Sequence, residues 1–316
     1  MLLFFLFAKG NGTVNKSVTI LLSTYNGEKY IEEQLQSIFA QTCWQNCTLF
    51  VRDDGSKDGT VVILKKYEQQ GKLRLECGEN IGFVRSFFWL INNAPEADYY
   101  SFADQDDVWN ADKIERAVKM LENAANEDPQ KPQLYFSDYD FYTADMQFIG
   151  YRKTKGNTPT FYESLTDCRA AGFTTVINKA FYSVLKTFPP ENIYYHDYFM
   201  YMLSFCITEP VYERVSTAQY RRHGSNESIS LQEKRKLILW RIKNFLFTSD
   251  SKFSNMYKVL EYSDVPMPEE YRKTLHLFTR KKNPAVQLKK LFFPKRFRQK
   301  IVDEIALRFL FLIGRF

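Results

Sequence analysis

The fold is indicated first by Val18-Thr-Ile-Leu-Leu-Ser-Thr-Tyr-Asn26, a short β-rich run that ends in polar residues. A helical pattern follows it, with Ile31, Leu35 and Ile38 at three- and four-residue spacing. The same unit recurs along the chain: further strands are predicted over 48–51, 73–76, 99–103 and 134–139, with helical patterns around 61–67, 82–93 and 112–124. Strands that alternate with helices predict an α/β fold with a mostly parallel central sheet.

Polar clusters follow three of these strands. They are Thr24-Tyr25-Asn26, Asp53-Asp-Gly-Ser-Lys-Asp-Gly-Thr60 and Asp104-Gln-Asp-Asp107. Two of them have a purely structural alternative: a capped turn for the second, and for the third a solvated acidic turn that caps the helix near Asp112. Ligands of parallel sheets bind beyond the carboxyl ends of the strands, so three clusters in series favour a nucleotide-type ligand.

The composition is that of a globular protein with an uneven charge. The 316 residues carry 43 Lys+Arg and 37 Asp+Glu, and 45% are hydrophobic, which excludes disordered and fibrous classes. Residues 233–316 hold 20 basic and 8 acidic side chains, whereas residues 1–232 hold 23 and 29. An acidic body with a basic tail is common in enzymes that work near anionic surfaces.

Cysteine use and the N-terminus indicate the compartment. The five cysteines lack a regular frame and are expected to be free thiols (Cys43, Cys47, Cys77, Cys168 and Cys206). The apolar run Met1–Ala8 is too short to span a bilayer, and no signal-peptide pattern accompanies it. A cytoplasmic location for the catalytic part is therefore expected.

Taken in order, the motifs resemble those of the family 2 glycosyltransferases of GT-A fold. The first strand, the Asp53–Thr60 stretch, Asn80-Ile-Gly82 and Asp104-Gln-Asp-Asp107 stand in that family's order and spacing. Two later blocks, His196-Asp-Tyr-Phe199 and Tyr220-Arg-Arg-His-Gly-Ser-Asn226, resemble the bacterial rhamnosyltransferase-like branch. Tyr198-Phe199 stands where tryptophans are usual, and Arg222 where Gln is common.

The resemblance covers roughly residues 17–230 and implies a division of the chain. It implies a GT-A domain over 17–230, preceded by an N-terminal extension over 1–16. The reversal of charge near residue 232 predicts a helical basic C-terminal region over 231–316. The resemblance also implies a donor site that binds a dTDP- or UDP-linked sugar. The residues implied for that site are Thr24, Tyr25, Asn26, Glu28, Asp53, Asp54, Asn80, Gly82, Arg85 and Asp104, with Asp53 favoured over Asp54 for the base.

The resemblance further implies a divalent metal and a catalytic base. Mn²⁺ or Mg²⁺ would be bound by Asp106 and His223, since hard ions take carboxylate oxygens and bridge to phosphates. Asp197 would remove the proton of the acceptor hydroxyl in a single inverting displacement, and its alternative role is the N-cap of the helix after it. His196 and Arg222 would lie on the acceptor and diphosphate side.

The C-terminal region suggests a membrane partner. Nine basic and no acidic residues lie between Arg280 and Lys300, and Phe297, Ile301, Ile305 and Phe309 follow at four-residue spacing. This pattern predicts a basic amphipathic helix on an anionic membrane, and the alternative is a helix that packs back on the catalytic domain. Nucleic acid is not a predicted partner, because no recognised binding motif accompanies the charge.

The expected activity is therefore that of a metal-dependent, inverting glycosyltransferase on the inner face of the cell membrane. By resemblance, it would transfer a sugar, with rhamnose favoured, to a lipid-linked saccharide during synthesis of surface polysaccharide such as O-antigen or capsule. A sugar-1-phosphate nucleotidyltransferase is one rival, but the Gly-rich basic loop that it requires is absent after Ser23. The other rival is a non-catalytic saccharide-binding scaffold.

Overall fold

The computed structural model of the protein describes residues 15–125, 128, 130–152, 158–224, 251–281 and 283–315. The strands are β1 (Val18–Thr24), β2 (Cys47–Asp53), β3 (Arg74–Cys77), β4 (Tyr99–Ala103), β5 (Val108–Trp109), β6 (Leu134–Thr143), β7 (Phe148–Tyr151), β8 (Val176–Asn178) and β9 (Val211–Arg222). The helices are α1 (Ile31–Phe39), α2 (Thr60–Gln69), α3 (Phe83–Asn93), α4 (Lys113–Ala124), α5 (Phe161–Ser164), α6 (Lys179–Leu185), α7 (His196–Ile207), α8 (Ser251–Glu261), α9 (Glu269–Thr279), α10 (Pro284–Leu291) and α11 (Ile301–Leu312).

All nine strands belong to one sheet, in the order β3-β2-β1-β4-β8-β6-β9-β5, with β7 paired to β6. The half built from β3, β2, β1 and β4 is parallel, as the alternation of strands and helices predicts. Beyond β4 the sheet is mixed, because β8 runs antiparallel to β4 and β6 while β9 runs parallel to β6. The fold is therefore α/β, with one parallel and one mixed half of a single sheet.

Side-chain alternation along the buried strands divides the core into two layers. On β1, Ile20 and Leu22 face the layer that contains α1, α2 and α4. Leu21 points to the opposite layer, which contains α3, α6 and α7. Since successive residues of a strand face opposite sides, both faces of the parallel half are covered by helices.

The polar clusters are brought together by this topology. Because β1, β2 and β4 are parallel neighbours, the residues that follow them emerge at one edge of the sheet. Thr24 is paired with Asp53 at the ends of β1 and β2, and Asp104 follows the end of β4 directly. The three polar clusters therefore meet at one edge of the sheet, where ligands of parallel sheets bind.

The C-terminal helices pack against the catalytic fold. Residues of α8, α9 and α11 share the hydrophobic core that contains α3 and α7, and Phe297 is fully buried in it. The inclusion of Phe297 in the predicted stripe is wrong, because α11 begins only at Ile301, whereas Ile301, Ile305 and Phe309 do form an exposed stripe on its outer side. The alternative in which this region packs back on the domain is confirmed for the inner side of α11.

Some predictions about chain organisation concern residues outside the described ranges. The boundary predicted at 230/231 and most of the extension over 1–16 lie outside the described residues. Within the described ranges, all five cysteines are free, as predicted. Among the helices in these ranges, none combines the length and apolar character required to cross a bilayer.

Candidate active site

A cleft of about 890 Å³ opens where the ends of β1, β2 and β4 meet the start of α7. We call one side the strand-end wall; it consists of Ser23, Thr24, Tyr25, Asp54, Asn80, Gly82 and Asp104–Asp106. We call the other side the α7 wall; it consists of Phe83, Phe87, Tyr139, Ala171–Phe173, Tyr195–Asp197 and Tyr220. The predicted nucleotide and catalytic blocks therefore border one cavity, of a size that suits a small-molecule ligand.

Asp53 lies behind the strand-end wall. Its carboxylate is buried and accepts hydrogen bonds from the Thr24 hydroxyl (3.0 Å) and from the backbone N–H groups of Gly55 (3.1 Å) and Ser56 (2.9 Å). The Ser56 hydroxyl also donates to it. Because the carboxylate is surrounded by donors from its own turn, its role in this structure is to hold the end of β1 to the loop after β2.

Asp54 lines the cleft and organises the loop that leads into α3. It forms an ion pair with buried Arg52 and accepts from the backbone N–H groups of Ile81 and Gly82, both at 2.9 Å. Arg52 also donates to the Glu79 carbonyl at 3.0 Å. Gly82 has a φ of +84°, in the left-handed region that favours glycine. This backbone conformation accompanies the hydrogen bond from its N–H group to Asp54.

Gln105 connects the loops that follow β1 and β4. Its Oε1 accepts from the Tyr25 backbone N–H at 2.9 Å, and its Nε2 donates to the Tyr25 carbonyl at 3.0 Å. A side chain at Gly27 would bring Cβ to 2.3 Å from Gln105 Oε1, so glycine is required for this contact. The paired hydrogen bonds fix Tyr25, whose ring is 45% exposed at the cleft.

The acidic loop after β4 is tied to β9. His223 Nε2 lies 2.8 Å from Asp106 Oδ2, and the His223 ring stacks on Tyr30 at 4.5 Å between centroids. Arg221 donates from its backbone N–H to Asp107 (3.1 Å) and from Nε to the Asp106 carbonyl (2.9 Å). The structure therefore brings the two predicted metal ligands together.

Asp107 shows that this loop is not a solvated turn. Its side chain is fully buried, and one of its carboxylate oxygens has no hydrogen-bond partner within the described residues. Burial, followed by the charges of Asp106 and Asp104, raises the pKa of Asp107 well above its ordinary value. The alternative of a solvated helix-capping turn is wrong for this cluster.

The chemistry of Asp106 and His223 fits a divalent ion whose remaining ligands come from a substrate. A carboxylate oxygen and an imidazole nitrogen suit Mn²⁺, and Mg²⁺ accepts the oxygen ligand together with phosphates and water. Across the described ranges, no group of three or more His, Cys, Asp or Glu side chains is arranged around a common metal position. Diphosphate oxygens would therefore have to complete the coordination.

His196 is a buried polar residue of the α7 wall. Its ring stacks on Phe87 at 4.0 Å between centroids, and neither ring nitrogen has a hydrogen-bond partner among the described residues. Burial lowers the pKa of His196 to about 4, so the ring is neutral at physiological pH. A neutral imidazole offers one donor and one acceptor to a ligand in the cleft.

Asp197 lies beside His196 in the first turn of α7 and lines the cleft. Its Oδ1 accepts from the backbone N–H of Tyr198 at 2.7 Å. Tyr195 occupies the N-cap position, so the proposed alternative of Asp197 as N-cap is wrong. A Cβ at Gly172 would lie 3.1 Å from His196 Nε2 and 3.4 Å from Asp197 Cβ, so the absence of a side chain there keeps access to both residues open.

Three aromatic rings complete the α7 wall. Phe173 stacks on Tyr220, with centroids 5.6 Å apart and planes 9° from parallel, and Tyr139 packs against Phe173 at 5.0 Å. Their rigid apolar faces border the same cavity as Asp197. Such surfaces suit the apolar face of a sugar ring while the polar groups bind its hydroxyls.

Sequence comparison identifies the family that uses this arrangement. A model of the family described as "Glycosyl transferase family 2" matches residues 19–186, more than half of the chain. The chain belongs to glycosyl transferase family 2. This glycosyltransferase is also 29% identical over 238 residues to the "dTDP-rhamnosyl transferase RfbG" of Shigella flexneri, covering 68% of this chain and 77% of that one. It is 33% identical over 116 residues to an uncharacterized glycosyltransferase of Rickettsia typhi, covering 37% and 35%.

Solved structures show the same fold at low sequence identity. The crystal structure of S. aureus TarS 1–349 in complex with UDP-GlcNAc has a TM-score of 0.52 at 15% identity, covering 95% of this chain and 93% of that one. The mannosyltransferase PcManGT from Pyrobaculum calidifontis, in complex with GDP-Man and Mn²⁺, has a TM-score of 0.53 at 17% identity, covering 88% and 71%. These structures confirm the predicted GT-A fold, and the family match confirms the predicted enzyme class.

The predicted site residues of the glycosyltransferase fall into two groups. Those in the cleft walls are Thr24, Tyr25, Asp54, Asn80, Gly82, Asp104, Asp106, His196 and Asp197, and His223 joins them through Asp106. Those outside the lining are Asn26, Glu28, Asp53, Arg85 and Arg222. The ligand roles of both groups stay predictions.

The second group has structural contacts of its own. Asn26 accepts from the Lys57 backbone N–H (2.8 Å) and Glu28 from that of Gly59 (2.9 Å), so both fasten the loops after β1 and β2. The Arg222 guanidinium lies over the Phe141 ring at 3.9 Å, where burial lowers its pKa. Arg85 is exposed on the first turn of α3.

Sequence reasoning assigned no role to three residues that organise the site, namely Arg52, Gln105 and Arg221. Arg52 directly precedes a recognised block, and Gln105 and Arg221 lie within two others, which was the available signal. Which of Arg221 and Arg222 points toward the acidic loop depends on strand register, since neighbouring residues of β9 face opposite sides of the sheet. Arg221 also forms an ion pair with Glu33 of α1, a partner that no local pattern indicates.

Proposed function

We propose that this glycosyltransferase transfers rhamnose from a dTDP- or UDP-linked donor to a lipid-linked saccharide, with inversion at the anomeric carbon. The observation that carries the proposal is that Asp197, an available carboxylate, lines the same cleft as the Asp106–His223 pair. Rhamnose is chosen over other sugars because a relative aligned over most of both chains bears the name dTDP-rhamnosyl transferase.

The strand-end wall would bind the nucleotide. Tyr25 and Asn80 border the cleft, and the Asp54 contacts hold the Asn80–Gly82 loop in one conformation. Because these groups are already fixed by hydrogen bonds, little conformational entropy would be lost when the nucleotide binds. Asp53 would support this wall from behind, and Asp54 is the member of the pair that borders the ligand.

The diphosphate would lie against the acidic loop, whose carboxylates require a compensating cation. Asp106 and His223 would bind Mn²⁺ or Mg²⁺ together with diphosphate oxygens. When bound, the ion would offset the negative charge that develops on the leaving nucleoside diphosphate. Arg221, which is hydrogen-bonded to the Asp106 carbonyl and to Asp107, would keep the loop in position.

Asp197 would act as the general base. The acceptor hydroxyl oxygen forms a bond to the anomeric carbon as the bond from that carbon to the phosphate oxygen breaks, and the hydroxyl proton passes to Asp197. The bonding electron pair leaves with the nucleoside diphosphate. Neutral His196 would exchange hydrogen bonds with sugar hydroxyls, and the ring pair of Phe173 and Tyr220 would support the sugar's apolar face.

The proposal includes a place of action. An acceptor attached to a lipid would bring the enzyme to the inner face of the cell membrane as a peripheral protein, in a pathway that builds surface polysaccharide. The excess of basic over acidic side chains in residues 233–316 supports this location, because the cytoplasmic leaflet is anionic.

A donor-binding screen tests the proposal without knowledge of the acceptor. The purified enzyme would be mixed with dTDP-rhamnose, UDP-GlcNAc or GDP-mannose, with Mn²⁺, Mg²⁺ or EDTA, and binding followed by saturation-transfer NMR. We expect dTDP-rhamnose to bind, and to bind more weakly in EDTA. Asp106→Asn should lose the metal dependence, whereas Asp112→Asn, in an exposed ion pair on α4, is the matched control that should retain it.

Two outcomes would contradict parts of this proposal. Preferential binding of GDP-mannose or UDP-GlcNAc would overturn the choice of rhamnose but leave the site intact. Failure of every nucleotide sugar to bind the folded enzyme would remove the donor site altogether. Once an acceptor is found, a product that retains the anomeric configuration, measured by the one-bond C1–H1 coupling, would exclude the single displacement through Asp197.

A further inference from the structure

The outer surface of α10 and α11 exposes large apolar side chains, where an ordinary surface helix exposes mostly polar ones. Exposed large apolar side chains are concentrated there: eight of the seventeen in the described residues lie within residues 288–313. They are Leu288, Phe292, Ile301, Val302, Ile305, Phe309, Leu312 and Ile313. On a globular protein, a cluster of this kind marks an interaction surface.

Two of the three charged side chains of α11, Glu304 and Arg308, lie toward the protein, and Asp303 is exposed. Glu304 is 8% exposed, whereas its neighbours Ile305 and Val302 are 64% and 77% exposed. Glu304 accepts from the backbone N–H groups of Phe297 (2.9 Å) and Arg298 (2.8 Å). A helix that buries a carboxylate and exposes branched apolar side chains is suited to an apolar medium on its outer side.

Arg308 makes α10 and α11 one rigid unit. It pairs with Glu304 at 2.7 Å and donates to the carbonyls of Leu291 (2.7 Å) and Phe293 (2.8 Å) at the end of α10. On its inner side, α11 is anchored in the protein core by buried Leu307, Leu310 and Phe311. The exposed apolar stripe is therefore held in a fixed orientation relative to the catalytic domain.

Basic side chains border this stripe. Arg280, Lys281 and Lys289 line a depression of about 420 Å³ between the end of α9 and α10. Lys289 also borders a neighbouring groove of about 530 Å³, lined by Leu277, Leu288, Phe292, Phe293 and Pro294. Neither lining contains an acidic residue, and in the described part of the chain none of the three cations forms an ion pair with a carboxylate.

From these observations we propose that α10 and α11 form a docking surface for a bilayer that contains anionic phospholipid. The stripe of Ile301, Ile305 and Phe309 enters the interface between headgroups and acyl chains, and the basic depression binds lipid phosphate. The apolar groove beside Lys289 accommodates the start of an acyl chain. This combination of apolar and cationic groups matches an anionic membrane surface, where each basic residue adds to the attraction.

The charge argues against other occupants of this surface. Two copies of the chain that met through it would bring unpaired lysine and arginine side chains together, and like charges repel. The site for sugar transfer lies elsewhere, around Asp106 and Asp197. The inference deepens the location stated under the proposed function but rests on different residues, so its failure would leave the donor site untouched.

Vesicle co-sedimentation of the full chain tests the docking surface. Wild-type protein should sediment with mixed phosphatidylcholine–phosphatidylglycerol vesicles, less with phosphatidylcholine alone, and less in raised salt. The double variant Lys281→Gln/Lys289→Gln should weaken binding to the anionic vesicles about 25-fold, since each basic residue near such a surface contributes about 1 kcal/mol. The matched control, Lys65→Gln/Lys66→Gln on α2, should bind like wild type.

A second pair of variants tests the apolar stripe. Ile305→Asp/Phe309→Asp should abolish sedimentation, whereas Val62→Asp, at an equally exposed position of α2, should not. Donor binding by NMR should be unchanged in all of these variants, which separates loss of docking from loss of the catalytic site. Wild-type protein that stays in the supernatant with anionic vesicles, equal binding by all variants, or self-association without vesicle binding would each overturn the proposal.

Discussion

The two walls of the cleft differ in how completely their polar groups are satisfied by the protein itself. In the strand-end wall, Asp54 and Gln105 already have several partners, including Arg52 and the backbone of Tyr25. In the α7 wall, neither ring nitrogen of His196 has a hydrogen-bond partner in the part of the chain that the structure describes. One wall is therefore built before the ligand arrives, and the other contains polar groups that only a ligand can satisfy.

This difference predicts how each wall responds to mutation. A substitution in the strand-end wall should disturb folding and donor binding together, because the same contacts serve both. A substitution in the α7 wall should affect transfer while the fold remains intact or becomes more stable. The variants below are ordered from the largest expected effect to the smallest.

Asp197→Asn should have the largest effect. The amide keeps the shape of the side chain but cannot act as a base toward the hydroxyl group of the saccharide acceptor. The transfer rate should therefore fall by roughly 10³-fold. The measurement is nucleoside diphosphate release with acceptor, alongside donor binding by NMR and the melting temperature, both of which should stay near wild type. Transfer at a near-normal rate would remove Asp197 from the base role.

Asp54→Asn should disturb both folding and binding. Loss of the charge leaves buried Arg52 without its ion-pair partner, so the free energy of unfolding should fall by roughly 3 kcal/mol. Donor affinity should fall with it because the Asn80–Gly82 loop loses its anchor. Urea denaturation and donor titration measure the two effects, and an unfolding free energy equal to wild type would show that the wall does not depend on this pair.

For comparison, Asp112→Asn breaks an exposed ion pair with Arg116. Its effect on unfolding should be no more than about 1 kcal/mol, as for surface pairs in general. If Asp112→Asn lowered the free energy of unfolding as much as Asp54→Asn, the large effect at Asp54 could not be attributed to its place in the cleft wall.

His196→Phe should separate stability from activity. Phenylalanine preserves the stacking on Phe87 and removes two buried polar atoms without partners, so the protein should become more stable by roughly 1 kcal/mol. Transfer should fall roughly tenfold through the loss of hydrogen bonds to the sugar. Thermal unfolding and steady-state kinetics give the two numbers, and a variant that is both less stable and fully active would contradict this account of the α7 wall.

Lys113→Met should leave transfer unchanged and alter only the pH dependence of stability. Lys113 is fully buried, hydrogen-bonded to Ser101 at 3.2 Å and placed over the Trp109 ring at 3.9 Å. Burial lowers its pKa from 10.5 to about 7. Between these two values the unfolded chain binds more protons than the folded one, so this residue's contribution to stability rises with pH.

The stability advantage of Lys113→Met over wild type should therefore be larger at low pH than at high pH. We expect its melting temperature to exceed that of wild type by about 3 °C near pH 6.5 and by less near pH 9.5. Differential scanning calorimetry at several pH values measures this difference. A gain that increases with pH would show that the folded-state pKa of Lys113 is not lowered.

The sequence predicted the parallel half of the sheet well, because its strands and helices each follow a clear period. Strand β1 and helix α1 lie where the pattern placed them, and the clusters after β1, β2 and β4 meet as expected. The mixed half was predicted less well. Strands β5 and β8 have two and three residues, too few for a pattern to be recognised.

Side-chain roles at the cleft were harder to predict than the motifs that contain them. Asp53 and Asp54 are adjacent, yet one is enclosed behind the wall and the other borders the cleft. A local pattern treats the two alike, because their difference depends on partners such as Thr24 and Ile81 that lie about thirty residues away in the chain. The same holds for Arg221 and Arg222.

The sequence by itself determined the family, the strand-end motifs and the division between an acidic body and a basic C-terminal region. These properties are written in local composition and spacing, which short-range rules describe. Only the tertiary structure decided that Asp54 lines the cleft, that His196 has no hydrogen-bond partner among the described residues and that α11 buries Glu304 and exposes its apolar stripe. Burial and hydrogen-bond satisfaction depend on residues distant in the chain, and only the packed fold brings those residues into contact.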